Sequence, residues 1–389
     1  MAKIVVITSR FPFPLEKGDK LRIFNQVKYF SKNHEVYLLT ISHETPSEEQ
    51  ITALRPYCKS LITYVIPLYK RHLGLIGSIF SRKPFQVQYF YSKSVKRKIE
   101  VYINEIQPDV IYSHLIRTSE YVSQAGKISK TLDYMDCFSK GFKLKISTTK
   151  NPLSRFLYMI EFKRLLRYER NVFDKFNHHV IISDQDRQAI DHSLKSKIEV
   201  ISNGVDFNIF YPVKVNKKYD LVFSGNMGYP PNIDAAYFAA TKILPILMNT
   251  NPNIKLLIAG MNAPLKLKNL RSKNIEVIEH FDHIRYAFAE SIINLVPVIT
   301  SIGLQNKILQ AMAMKIPTVT TLAGARGINA EKDNVLLIGE TAEELVAHIH
   351  NLLGNESERN FLAERAYEFV HQKFSWSIHN EKLLQKLFE

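Results

Sequence analysis

Cysteine is nearly absent from this chain of 389 residues: Cys58 and Cys137 stand far apart, in no metal-type spacing. Neither a disulfide framework nor a thiolate zinc site is expected from them. No apolar run approaches the roughly 20 residues needed to cross a bilayer. At the N-terminus, Ile4–Ile7 gives way at once to Thr8, Ser9 and Arg10, too short a run for a secretory h-region. A reduced, cytoplasmic protein is the expectation. The sequence also lacks a Walker loop, a G-x-G-x-x-G fingerprint, a serine nucleophile elbow and a zinc-ligand cluster, so those chemistries have no support. It has no internal repeat and no low-complexity tract.

Acidic residues are scarce in one half only. Residues 1–200 hold 33 Lys and Arg against 19 Asp and Glu, whereas residues 201–389 hold 19 against 18, so nearly all of the net +15 sits in the first half. Between Glu49 and Glu100 no acid occurs, while ten cations from Arg55 to Lys98 are interleaved with Tyr64, Tyr69, Phe80, Phe85, Tyr89, Phe90 and Tyr91. A second acid-free stretch, Cys137–Ile160, adds Lys140, Lys143, Lys145, Lys150 and Arg155. Cations among aromatics suit an anionic membrane surface or a polyanionic acceptor, nucleic acid being the weakest candidate; a plain solvated face is the alternative. No nucleic-acid partner is expected.

What is present is a repeated strand–helix rhythm. Short β-branched runs are expected as strands at Lys3–Thr8, Glu35–Ile41, Leu61–Ile66, Asp109–Leu115, Lys130–Asp136, His178–Ser183 and Glu199–Ser202. Between them, Lys20–Ser31 and Leu153–Phe176 carry helical spacing. The rhythm restarts with Asp220–Phe223, Lys255–Ala259, Glu276–Ile278, Asn294–Val298, Thr318–Thr321 and Asn334–Ile338. Apolar strands separated by helices imply parallel sheets covered on both faces. The fold class is therefore α/β, with two tandem doubly wound, Rossmann-like domains facing across a cleft. Asn203-Gly204 and the later Pro212 mark the hinge. The expected domains are 1–204, 205–372, and a terminal helix at 373–389 that packs back towards the first.

Open parallel sheets bind ligands beyond the C-terminal ends of their strands. Several segments fall there. Ser9–Lys20 follows the first strand, and Gly18 at a helix start lets backbone amides meet an anion; an ordinary loop is the competing reading. The segment VPVITSIGLQNKILQAMAMKIP, 296–317, is the strongest. Its strand is expected to end at Pro297, Gly303 sits in the loop, and Gln305-Asn306-Lys307 opens a helix with Ile308, Leu309 and Met312 on its apolar face. Lys307 in a first turn opposes the helix macrodipole, which suggests a diphosphate bound by the lysine and the amide ends; a solvated lysine is the competing reading. His114 ends the fourth strand and is placed to bond a hydroxyl or carry a proton, unless it is structural. Asp133 and Asp136 are three apart, so strand alternation is expected to turn them to opposite faces, and no metal site is expected.

The segments ITSRFPFPLEKGDKLRIFNQVKYFSKNHEV, ISNGVDFNIFYP, VFSGNMGYPPN and GLQNKILQAMAMKIPTV resemble glycosyltransferase family 4, of GT-B fold. They are most similar to the bacterial exopolysaccharide-type subset with the signature G-x-Q-N-K-x-L-E-A-M-A. The resemblance spans most of the chain. It implies a retaining, metal-independent hexosyltransferase without cofactor. A UDP- or GDP-sugar donor is held by the second domain, and a glycan or lipid-linked acceptor by the first, in cell-surface polysaccharide synthesis. By the same resemblance, Gly18 lies against the donor phosphate or sugar, His114 bonds the donor sugar, and Lys307 neutralises the leaving diphosphate. Gly225 and Asn226 line the donor wall with Gly303, Gln305 and Asn306. The basic first domain implies a peripheral place on the inner membrane face.

The chain departs from the family at three points. Two glutamates usual around this loop are replaced by Ile302 and Gln310. Gln310, at the catalytic and ribose-binding position, has one amide oxygen where a carboxylate has two. The segment Ser224–Asn232 has no cation, leaving Lys307 as the main phosphate cation with Arg326 or Arg285 as helpers. Two other readings stay open: a non-catalytic GT-B scaffold, and a nucleotide-sugar 2-epimerase, for which cleft carboxylates and histidines are sparse.

Overall fold

The structure, a computed structural model, describes every residue except 16, 80, 123–125, 127, 282, 300–302 and 331–333. Two compact units divide the chain: Met1–Ser202 with His379–Glu389, and Asn203–Ile378.

In the first unit, seven strands form one parallel sheet: β1 Lys3–Thr8, β2 Glu35–Ser42, β3 Ser60–Val65, β4 Val110–His114, β5 Ser129–Asp133, β6 His178–Ile181 and β7 Glu199–Val200. Their order across the sheet is β3-β2-β1-β4-β5-β6-β7. The register sets Ile4 beside Val36 and Val110, and His114 beside Asp133. Ile4–Ile7 are all fully buried, as a strand covered on both faces requires. The covering helices bury one stripe each. Lys93–Ile106 is capped by the Ser92 side chain and buries Val95, Ile99 and Ile103, one residue per turn. The final helix, Trp376–Phe388, returns to this unit with Leu383 and Leu387 buried among Phe30, Val36 and Tyr112. Burying each of those leucines stabilises by about 1.5–3 kcal/mol.

The second unit repeats the plan. Strands β8 Tyr219–Ser224, β9 Leu256–Ala259, β10 Ile275–Ile278, β11 Ser291–Val296, β12 Thr318–Thr320 and β13 Leu337–Ile338 form a parallel sheet in the order β10-β9-β8-β11-β12-β13. Close backbone approach ties its strand ends: a Cβ on Gly260, which has φ +146°, would lie 1.8 Å from the Gly225 carbonyl oxygen. Only glycine fits there.

In both sheets the strand order reverses once, between β1 and β4 and between β8 and β11. At such a switch point, the two connecting helices leave on opposite faces and open a crevice beyond the strand ends. That rule selects the segments after β1 and β4 in one unit, and after β8 and β11 in the other.

Candidate functional site

In the second unit, β11 stops at Val296, one residue before the expected Pro297, and the following loop reaches Gly303 at φ +74°. This left-handed conformation is one that glycine adopts without cost. A Cβ on Gly327 would sit 2.7 Å from the Gly303 carbonyl oxygen, so the 324–327 turn packs closely on the loop. Gln305 is the N-cap of the helix Asn306–Ala313 and gives it no side-chain cap. Ile308, Leu309, Ala311, Met312 and Ala313 fix this helix to the sheet by their burial.

Lys307 is buried with that apolar set, not solvated, at 8% exposure. Its Nζ donates to Asn232 Oδ1 at 2.7 Å and lies 4.3 Å from the centroid of the Phe223 ring. Burial lowers its pKa to about 7, because desolvation penalises the ammonium and no carboxylate among the described residues compensates. The site therefore holds a lysine divided between its charged and neutral forms near neutrality. An arriving diphosphate would supply the missing negative charge and draw the proton on.

Gly225 follows β8 and faces this lysine. A Cβ there would meet Asn232 Nδ2 at 2.9 Å and Lys307 Nζ at 3.0 Å. Asn232, in the first turn of Pro230–Phe238, also donates from Nδ2 to the Asn226 carbonyl at 2.9 Å. The Asn226 side chain in turn accepts from the Gly228 amide at 2.8 Å and from Asn262 Nδ2 at 3.3 Å. Lys307, Gly225 and Asn226 thus converge through Asn232. Among the described residues, Asn306 Oδ1 is buried without a hydrogen-bond partner.

The remaining positions of this unit are more peripheral. Gln310 lies one turn beyond Asn306 and is half-buried, while Arg326 is exposed at the end of Leu322–Ala325. Arg285 binds the Tyr211 and Tyr286 hydroxyls at 3.1 Å each. Ile302 lies outside the described residues.

In the first unit, Gly18 is the first residue of the helix Gly18–Phe30, and His114 ends β4. The two share one electrostatic neighbourhood, since Asp19 acts on the His114 ring. His114 is 1% exposed and neither ring nitrogen has a hydrogen-bond partner among the described residues. Burial lowers its pKa to about 4, overriding the opposing effect of Asp133 and Asp19. The imidazole is neutral at pH 7, with one donor and one acceptor uncommitted.

Asp133 is held beside it by a buried network. Its carboxylate takes Arg22 Nε at 2.6 Å, the Tyr112 hydroxyl and the Met135 amide at 2.8 Å. Three donors occupy its oxygens, and despite burial the Arg22 charge holds its pKa below the ordinary value. The alternation argument for Asp136 does not apply, because β5 ends at Asp133 and Met135 turns at φ +58°. Asp136 instead lies in the same field, its pKa raised to about 7 by burial and by Asp186, Asp19 and Asp133.

Sequence reasoning passed over Asn232, Arg22 and Tyr112. For Asn232 there was a signal, a polar residue just after Pro230-Pro231 at a helix start near the suspected ligand. Arg22 had none, being 111 positions from its partner.

The family model described as glycosyl transferases group 1 matches residues 218–355. Over the whole of both chains, the protein is 25% identical to an uncharacterized 44.6 kDa protein in the cps region of Klebsiella pneumoniae. Its fold is similar to sucrose-phosphate synthase of Thermosynechococcus elongatus, with TM-score 0.70, 14% identity and 98% of each chain covered. It is also similar to Anabaena HepE in complex with UDP-glucose, with TM-score 0.68, 15% identity, and 100% and 99% of the two chains covered. A variant of TarM of S. aureus, in complex with fondaparinux, alpha-GlcNAc-glycerol and UDP, gives TM-score 0.70 at 13% identity over 100% of both chains. The chain therefore has the GT-B glycosyltransferase fold, and most of its second unit matches the glycosyl transferases group 1 model.

Proposed function

We propose that the protein is a retaining glycosyltransferase that takes a sugar from a UDP- or GDP-sugar and passes it to a glycan or lipid-linked acceptor in cell-surface polysaccharide synthesis. The observation that carries this reading is the buried Lys307, held by Asn232 against Gly225 at the switch point of the second sheet. Glycosyl transfer leaves a nucleoside diphosphate on which charge develops, and a preorganised cation in a dry site stabilises that charge more than solvent does. Lys307 and the first-turn amides supply it in this reading, with Gly303 letting the loop approach and Gln310 facing the ribose. Arg326 lies on the neighbouring turn. HepE and TarM, solved with UDP-glucose and with UDP, support a uridine donor; the cps-region relative supports a polysaccharide product.

His114 in this reading bonds the donor sugar as a neutral imidazole, and Gly18 approaches the donor phosphate. No metal or other cofactor is assigned a role: Asp133 already accepts three hydrogen bonds, and the lysine provides the positive charge.

The first unit also supports a place on an anionic membrane. No helix among the described residues is long and apolar enough to span a bilayer. The start of the helix Pro152–Phe173, however, exposes Leu153 by 69%, Phe156 by 55% and Leu157 by 46%, one face at i, i+3 and i+4. Arg155, in the same turn, and Lys150, just before the helix, are exposed as well. Exposed apolar side chains with cations close by in sequence suit the boundary of an anionic leaflet.

The test is incubation with a panel of UDP- and GDP-sugars, reading nucleotide release. Slow release from one donor, abolished in Lys307→Ala, supports the reading; release from none, with no thermal stabilisation by any nucleotide, leaves a non-catalytic GT-B protein.

A further inference from the structure

The first unit contains a cavity of about 310 Å³ at the C-terminal edge of its sheet, beside Ser9 after β1 and Ser42 at the end of β2. That volume is at the small end for ligand sites, room for a monosaccharide-sized unit. Among the described lining residues its charge is one-sided. Arg10, Lys17, Lys20 and Arg71 line it, and Glu44, 72% exposed and 3.6 Å from His43, is the acid among the described lining residues.

Arg71 is the informative member. It is 3% exposed, and its guanidinium rests over Phe90 at 4.8 Å and Tyr89 at 5.3 Å. Nε donates to the Ile66 carbonyl at 3.0 Å and the side chain also engages Tyr89, while Nη2 is buried without a hydrogen-bond partner among the described residues. Leaving a buried guanidinium donor unpaired is costly unless something else meets it. Burial lowers the Arg71 pKa against the raising effects of Tyr89 and Tyr121, and Arg10, which gives one Nη to Asp19 at 2.6 Å, adds a smaller repulsion. The described lining of the cavity therefore carries four cations and one exposed carboxylate. Phe11, Phe13, Tyr89 and Phe90 add apolar faces of the kind on which the C–H side of a sugar ring packs.

We propose that this cavity binds an anionic sugar unit, a saccharide bearing a carboxylate or phosphate, as the acceptor end of the transfer described above. The inference rests on the transferase reading only for that acceptor role; the binding chemistry stands on the cavity. Arg71 provides the forked contact to the oxyanion, Lys17 and Lys20 add charge, and the aromatic rings hold the sugar body.

The experiment uses the full chain and four probes: glucuronate, glucose 6-phosphate, glucose and inorganic phosphate. Binding is followed by thermal shift and calorimetry, with UDP titrated separately. Glucuronate or glucose 6-phosphate is expected to stabilise the protein while glucose does not, and whichever binds tighter identifies the anion as carboxylate or phosphate. Arg71→Lys, which keeps the charge and loses the fork, and the surface change Lys17→Gln should each weaken that binding, Arg71→Lys by about tenfold. UDP binding should be unchanged in both variants. Equal binding of glucose, stabilisation by inorganic phosphate as large as by the sugars, or no binding of any probe would overturn the proposal. Loss of UDP binding with anionic-sugar binding intact would instead remove the transferase reading and leave the cavity assignment standing.

Discussion

Lys307 Nζ and Asn232 Oδ1 are 2.7 Å apart, although one residue opens the helix after β11 and the other opens the helix after β8. The pair closes the switch point of the second sheet with a hydrogen bond between a buried ammonium and a neutral amide. Neutral pairing orients the lysine without satisfying its charge.

Replacing the amide oxygen by a carboxylate would satisfy that charge in advance. In Asn232→Asp the ion pair should raise the Lys307 pKa and compete with the donor diphosphate. Calorimetric UDP affinity is expected to fall by about tenfold or more, whereas Asn232→Ala should cost less, since the lysine stays available. Unchanged affinity in Asn232→Asp would contradict this account.

Lys307 is also a stability liability with a defined pH window. Its folded pKa, about 7, is below the ordinary 10.5, so the unfolded state binds more protons between those limits and stability rises with pH across them. Below pH 7 the full cost is present, on the order of 2–5 kcal/mol. Lys307→Met should therefore raise the melting temperature more at pH 6 than at pH 9.5. An equal gain at both would show that the lysine is not desolvated.

His114, with its pKa lowered to about 4, should stay neutral throughout the working range. The activity profile is expected to show no loss from its protonation above about pH 5, and His114→Ala should reduce kcat/KM by about 10²-fold or more. Histidine NMR titration checks the first point: a titration near 6.5 would refute it.

The Arg22–Asp133 pair, both side chains at 0% exposure, should be coupled. Breaking it with Asp133→Asn or Arg22→Met alone is expected to cost about 3–5 kcal/mol, because an uncompensated charge stays buried. Urea unfolding of the single and double variants gives the coupling, and additive losses would contradict it.

Membrane association makes a separate demand. Sedimentation with vesicles containing anionic lipid should exceed that with neutral vesicles, fall with salt, and drop when Leu153, Phe156 and Leu157 are changed together to serine. Equal sedimentation with both vesicle types would remove the idea.

How much of this was legible in the sequence follows the physics of each feature. Strand cores were, because runs such as Ile4–Ile7 and Leu256–Ala259 are buried on both faces and read as unbroken apolar stretches; strand ends shifted by one to three residues, as at Asp133. The lysine at 307 was visible as a residue against the helix dipole, but its burial was not, since Phe223 and Asn232 come from a distant segment. The basic stretch from Arg55 to Lys98 looked uniformly solvated or uniformly membrane-facing. The structure divides it instead, burying Arg71 against aromatic rings and exposing Tyr69 by 62%. Composition records charge; it does not record which cation the chain folds inward.

The most direct test of the account is proton uptake on diphosphate binding. UDP is titrated at pH 8 into the wild type and Lys307→Met, in buffers of different ionisation enthalpy. The account predicts uptake of about half a proton or more by the wild type, as a lysine with pKa about 7 is drawn into its charged form, and much less in the variant. Tight UDP binding with the same proton count in both proteins would contradict it.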